Sequence, residues 1–135
     1  MNWIVAGVIT GVVAFFVDFV MWSKVFTKGM DAFFTPPPAG QQVQMGPRLA
    51  KAGVLALVFG VVVAGLYYHF KGSLWARDVL GGMEFGTILW LPTIALSTIG
   101  SGVWFDKVRP LLMATFWTWL IRLNVAGIVV GLLIK

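Results

Sequence analysis

The 135-residue chain contains no cysteine, and charged residues make up only 11% of it. Without cysteine there is no disulfide, thiolate metal site, iron–sulfur cluster or cysteine nucleophile. The low share of charge, against about 25% in ordinary globular domains, excludes a typical water-facing surface. The chain also lacks a Gly-rich phosphate loop, a His-Glu pair at zinc spacing and a nucleophile with an evident base, so we expect it not to be an enzyme.

Apolar residues dominate instead, at 59% of the chain, and they form four runs of the length that a membrane-spanning helix needs. The runs lie at about 3–22, 49–70, 79–99 and 110–134, with a Pro-rich loop at 31–47. They predict one transmembrane domain over residues 1–135, an all-α, integral membrane four-helix bundle. Pro92 removes a backbone hydrogen bond inside the third run, so we expect the third helix to be kinked there.

Lysine and arginine are distributed unevenly between the two ends of this bundle. The first and third connections hold six of them (Lys24, Lys28, Arg48, Lys51, Lys107 and Arg109), and the other end holds three (Lys71, Arg77 and Lys135). The positive-inside rule places the richer end in the cytoplasm and both termini outside it, in what we expect is a bacterial cytoplasmic membrane. This distribution also explains the net charge of +5 without nucleic acid as a partner.

Small residues recur at helical spacing on three of the predicted helices, which in lipid allows backbones to approach closely. They are Gly7, Gly11 and Ala14 on the first helix, Gly53, Ala56, Gly60 and Ala64 on the second, and Gly127 and Gly131, beside Asn124, on the fourth. We expect these faces to mediate helix packing.

Three ionisable residues, Asp18, Glu84 and Arg122, lie within the apolar runs. A charge at this depth usually faces a partner or a water-filled cavity. The helical rise places Glu84 nearer to Arg122 in depth, whereas the lean of side chains toward the helix N-terminus brings Asp18 and Arg122 together, so Asp18 is slightly favoured. Such a pair either sets helix register or belongs to an ion or proton path, and each carboxylate could instead contact water near the headgroups.

His69 is the only histidine and lies in the aromatic segment Tyr67-Tyr68-His69-Phe70, which is typical of a membrane interface. One imidazole cannot give a bis-histidine haem within one chain, although it could ligate a chlorophyll or form a symmetric site in a dimer. Two other aromatic clusters, Trp104-Phe105 and Trp117-Thr118-Trp119, could flank a pigment or quinone, but lipid-facing and interfacial aromatics are the default explanation. We therefore expect no cofactor and no metal.

Several segments resemble a widespread family of small four-span bacterial membrane proteins of unknown function. They are Asn2-Trp3, Ala14-Phe15, Met21-Trp22-Ser23-Lys24-Val25-Phe26-Thr27-Lys28-Gly29-Met30, and the turn Trp104-Phe105-Asp106-Lys107-Val108-Arg109-Pro110 before the last helix. The resemblance implies four spans and supplies no functional residue.

The sequence thus predicts a non-catalytic protein of the lipid bilayer, a structural or accessory subunit that packs against other membrane subunits or against itself. The alternative hypothesis is a small homo-oligomeric transporter or channel that uses Asp18 or Glu84 with Arg122.

Overall fold

The computed structural model describes residues 1–25 and 45–135, and in these ranges every long element is an α-helix. The helices are α1 (Trp3–Val20), α2 (Met45–Phe70), α3 (Asp78–Trp90), α4 (Leu96–Trp104) and α5 (Arg109–Leu133). A π-helical turn, Leu91–Ala95, joins α3 and α4. The described chain therefore contains four helices that are long and apolar enough to cross a membrane: Trp3–Val25, Gly46–Ser73, Asp78–Trp104 and Asp106–Leu133. This confirms the predicted all-α membrane bundle.

Local sequence explains where the helices begin. The Asn2 side chain accepts a hydrogen bond of 2.8 Å from the backbone N–H of Ile4, which caps α1. Proline occupies the first turn of α5 at Pro110, where its missing N–H costs nothing. α2 begins at Met45, so the end of the predicted Pro-rich loop is helical. The rest of that loop, 31–44, lies outside the described residues, as do residues 26–30.

Pro92 lies in the π-helical turn between α3 and α4. Because proline has no N–H, the regular α-helical ladder loses a bond in this turn. The Thr93 hydroxyl donates to the Leu89 carbonyl there. The backbone thus changes from α-helical to π-helical hydrogen bonding at Pro92. The predicted kink of the helix at this residue stays a prediction.

Glycines bring the helices together in two close pairs. In the α1–α2 pair, a Cβ atom added to Gly60 would lie 2.2 Å from the carbonyl oxygen of Gly7. In the α3–α5 pair, a Cβ atom added to Gly82 would lie 1.9 Å from the carbonyl oxygen of Gly127. Only glycine fits at such distances. α1 also packs against α5 and so joins the two pairs.

Most of the predicted packing residues are buried, namely Gly7, Gly11, Ala14, Ala56, Gly60, Ala64, Gly127 and Gly131. Gly53 is not at a close helix contact among the described residues, because a Cβ atom there would meet none of their atoms within 4 Å. Gly53 lies about 10 Å along α2 from Gly60, and packed helices diverge away from their closest approach. The prediction also missed Gly82 and Gly86, whose i, i+4 spacing matches that of Gly127 and Gly131.

A small hydrophobic core fills the half of the bundle in which α1 begins and α5 ends. It is formed by Ala6, Val63, Ala64, Tyr67, Phe85, Leu123, Ala126, Val130 and Ile134. The rings of Tyr67 and Phe85 meet edge to face with their centroids 5.5 Å apart, which links α2 to α3. Arg122 lies next to this core, on the side of the C-terminal half of α1.

Candidate functional site

Arg122, in the middle of α5, forms an ion pair with Asp18 near the end of α1. Its Nη1 atom donates to Oδ2 of Asp18 at 2.6 Å, and the two side chains are 11% and 29% exposed. Asp18 continues the face of α1 that carries Gly11 and Ala14, which is why it points toward the other helices and away from lipid. Of the two candidate carboxylates, the structure therefore places Asp18 against the guanidinium.

Two aromatic rings complete the surroundings of the guanidinium. Its Cζ atom lies 4.2 Å from the centre of the Phe59 ring and 4.6 Å from the centre of the Trp119 ring. These two rings meet edge to face at 5.7 Å. Both distances from Cζ are within the range in which a ring face attracts a cation. We call Asp18, Phe59, Trp119 and Arg122 the Arg122 cluster.

The Arg122 cluster joins three helices, because α1 supplies the carboxylate, α2 supplies Phe59, and α5 supplies the cation and Trp119. Within the described residues, Oδ1 of Asp18 and Nε of Arg122 are buried without a hydrogen-bond partner. The nearby Thr118, one turn before Arg122, also has a buried hydroxyl without one in that part of the chain. The cluster thus compensates the charges but does not use every donor and acceptor.

Glu84 is engaged elsewhere. Its two carboxylate oxygens accept hydrogen bonds from the backbone N–H groups of Trp75 at 3.0 Å and Ala76 at 2.8 Å. Depth alone suggested Glu84 as a partner of Arg122, but the side chain of a helical residue leans toward the N-terminus of its helix. That lean carries the Glu84 carboxylate to the link that precedes α3, where it binds backbone donors.

Glu84 also lines a crevice between α3 and α5 with a volume of about 580 Å³. We call this the α3–α5 crevice; its walls are Ser73, Trp75, Met83, Glu84, Thr87, Ile88 and Asn124. The Thr87 hydroxyl lies 3.4 Å from Oδ1 of Asn124, whose amide nitrogen donates to the Leu120 carbonyl at 2.9 Å. Sequence reasoning found Glu84 and Asn124 but missed Thr87, although its three-residue spacing from Glu84 places both on one face.

His69 lies at the exposed end of α2, and its ring meets that of Tyr68 edge to face at 5.6 Å. Within residues 1–25 and 45–135, no three side chains of the metal-binding types lie close enough together to hold an ion. The described part of the chain therefore does not place His69 in such a three-ligand group.

Comparisons with protein-family profiles, with curated proteins and with solved structures find no match to this chain. The four apolar helices establish an integral membrane protein in contact with the lipid bilayer.

Proposed function

We propose that this chain is a non-catalytic membrane protein, a structural or accessory subunit that packs against partner membrane proteins or against a second copy of itself. The observation that carries the proposal is the Arg122 cluster. The guanidinium is held at 2.6 Å by a carboxylate and lies against two aromatic rings. A charge enclosed in this way fixes the relation of three helices and is a poor starting point for a reaction.

The outward face of α3 and α5 supports the second half of the proposal. Thr87 is exposed on this face, and Glu84 and Asn124 are half-buried beside it. In lipid, polar side chains of this kind usually face another helix, with which they form hydrogen bonds. The close glycine contacts Gly7–Gly60 and Gly82–Gly127 are made within the chain, whereas the α3–α5 crevice offers polar side chains to a neighbour.

Cysteine cross-linking in native membranes tests this proposal, since the parent chain contains no cysteine. Thr87→Cys places a single thiol at the crevice, and Leu55→Cys places one on the 68% exposed face of α2 as the matched control. We expect Thr87→Cys to give a cross-linked dimer of this chain or one defined heterologous product, and Leu55→Cys to give neither. Equal cross-linking of the two variants, or none from Thr87→Cys, would contradict a subunit contact at the crevice.

One observation favours a second candidate, a small transporter or channel. Oδ1 of Asp18 is a buried acceptor without a partner in the described residues, and intramembrane carboxylates often belong to ion or proton paths. Proton and cation flux into liposomes that contain the purified chain separates the two functions. The structural proposal expects the same background flux for the parent and for Asp18→Asn, whereas a transporter requires a parental flux that this substitution removes.

A further inference from the structure

A groove of about 390 Å³ runs between α4 and the first half of α5. Apolar side chains that include Ile99, Val103 and Phe116 form its walls, and Arg109 lies at its end nearest to the turn between the two helices. The groove is within the size range of small-molecule sites, which begins at about 300 Å³. It is separate from both the Arg122 cluster and the α3–α5 crevice.

The groove is open because Gly102 contributes no side chain to it. A Cβ atom added to Gly102 would meet no atom of the described residues within 4 Å. This glycine therefore differs from those at the helix pairs, since no described helix packs against it. A Cβ atom added to Gly100, also on α4, would likewise meet no atom in the described ranges, but Gly100 does not line the groove.

Arg109 is held over the end of the groove with donors to spare. Its Nη2 atom donates to Oδ1 of Asp106 at 2.6 Å and to the carbonyl oxygen of Gly102 at 3.3 Å. Both bonds use the same nitrogen, so in the described structure Nη1 and Nε are free for another acceptor. The paired N–H groups of a guanidinium match the geometry of phosphate oxygens. The Arg109 side chain is 62% exposed, so a ligand can reach it.

The position of the groove indicates which molecule these features suit. The connecting turn has the charges of an interface, with Lys107 and Arg109 against Asp106, and the adjacent Trp104 is 82% exposed. The apolar groove runs along two helices and has a cation at its interfacial end. This arrangement suits a lipid that has an acyl chain and an anionic headgroup. Basic pockets between membrane helices bind anionic lipid headgroups in this way.

We propose that the α4–α5 groove binds one anionic phospholipid, with an acyl chain in the groove and the phosphate on the free donors of Arg109. The lipid acts as a component of the folded protein and covers apolar surface that neighbouring helices leave open. This site does not depend on the α3–α5 crevice or on the function proposed above.

Native mass spectrometry of the full chain in detergent tests this site. The protein is mixed with phosphatidylglycerol or with phosphatidylcholine of identical acyl chains, and the retained adducts are counted. We expect the parent to retain one phosphatidylglycerol with about a fivefold preference, which is the effect of roughly one basic residue on an anionic lipid. Gly102→Leu, which fills the groove, should lose the adduct, whereas the matched variant Gly100→Leu should retain it.

A second pair of variants tests the headgroup contact. Arg109→Gln should reduce phosphatidylglycerol retention to the level of phosphatidylcholine, and Lys107→Gln, on the same turn but outside the groove, should preserve the preference. This pair decides the question if Gly102→Leu does not fold. Equal retention of the two lipids by the parent, equal effects within either pair, or a parental dimer without a lipid adduct would overturn the proposal.

Discussion

Arg122 shows how a residue that is costly in lipid becomes part of a stable bundle. Moving a guanidinium to the centre of a membrane is unfavourable by at least about 2.5 kcal/mol. Here a carboxylate at 2.6 Å and two ring faces within 4.6 Å replace the lost hydration. Since these groups come from α1, α2 and α5, the favourable terms exist only when the three helices are assembled.

The Phe59 ring should contribute more than apolar area. Phe59→Leu keeps an apolar side chain but removes the ring face from the guanidinium, so we expect a loss of about 2 kcal/mol, as for a desolvated cation–π contact. Reversible unfolding in mixed detergent micelles measures it. The control is Phe19→Leu on the 53% exposed face of α1, which should change stability little. Equal losses from the two substitutions would show that the ring face is not used.

Glu84 should hold the link between α2 and α3. Glu84→Ala removes both acceptors from the backbone N–H groups of Trp75 and Ala76, and each bond to a charged group contributes about 1.5–3 kcal/mol. We expect faster proteolysis within residues 71–77 and a lower unfolding midpoint. Met83→Ala, at an exposed neighbouring position, should match the parent in both measurements.

At the scale of the helices, the two glycine pairs have different sequence patterns around them, but both bring two helix backbones equally close together. Gly7 and Gly60 stand in longer series of small residues, whereas Gly82 on α3 is followed at this spacing by Gly86 and then by the large Trp90. Both pairs place a Cβ position within 2.2 Å of a carbonyl oxygen across the interface. Helix association in lipid depends on this close approach because no hydrophobic effect drives it.

Gly60→Ala and Gly53→Ala form a matched test on α2. Alanine at position 60 would place Cβ 2.2 Å from the backbone of α1, and overpacking of this kind costs about 1–3 kcal/mol or more. Alanine at position 53 would meet no atom of residues 1–25 and 45–135 and should even stabilise α2 through its helix propensity. Unfolding midpoints in detergent measure both. Similar destabilisation by the two variants would contradict the helix crossing described here.

The sequence predicted the elements well and their rotations only in part. Four apolar runs sufficed for the spanning helices, and the N-terminal lean of helical side chains favoured Asp18 over Glu84. Trp119 could have been found, since it lies three residues before Arg122 on the same helix. Phe59 could not, because its place depends on how α2 is rotated toward α5. Gly53 and Gly60 could not be distinguished from the sequence either, because the difference between them depends on where α1 and α2 cross.

At the scale of the whole molecule, the orientation in the membrane remains a prediction from the distribution of lysine and arginine. A fluorescent protein that matures only in the cytoplasm, fused after Lys135, should stay dark because we expect both termini outside the cytoplasm. The same reporter inserted between residues 106 and 107, in the turn after α4, should fluoresce. The reverse result would place the α4–α5 groove in the outer leaflet.

The central claim is that Asp18 and Arg122 stabilise the bundle as one unit. The most direct measurement is the free energy of unfolding in detergent for Arg122→Leu, for Asp18→Leu and for the two together, with the Arg122→Leu, Glu84→Leu double variant as the control. Each single variant of the pair should lose about 3–5 kcal/mol, because it leaves the other charge buried and unpaired. The Asp18, Arg122 double variant should recover most of that loss, and the control should recover none. Additive losses in the double variant, or an Arg122→Leu protein as stable as the parent, would contradict the account.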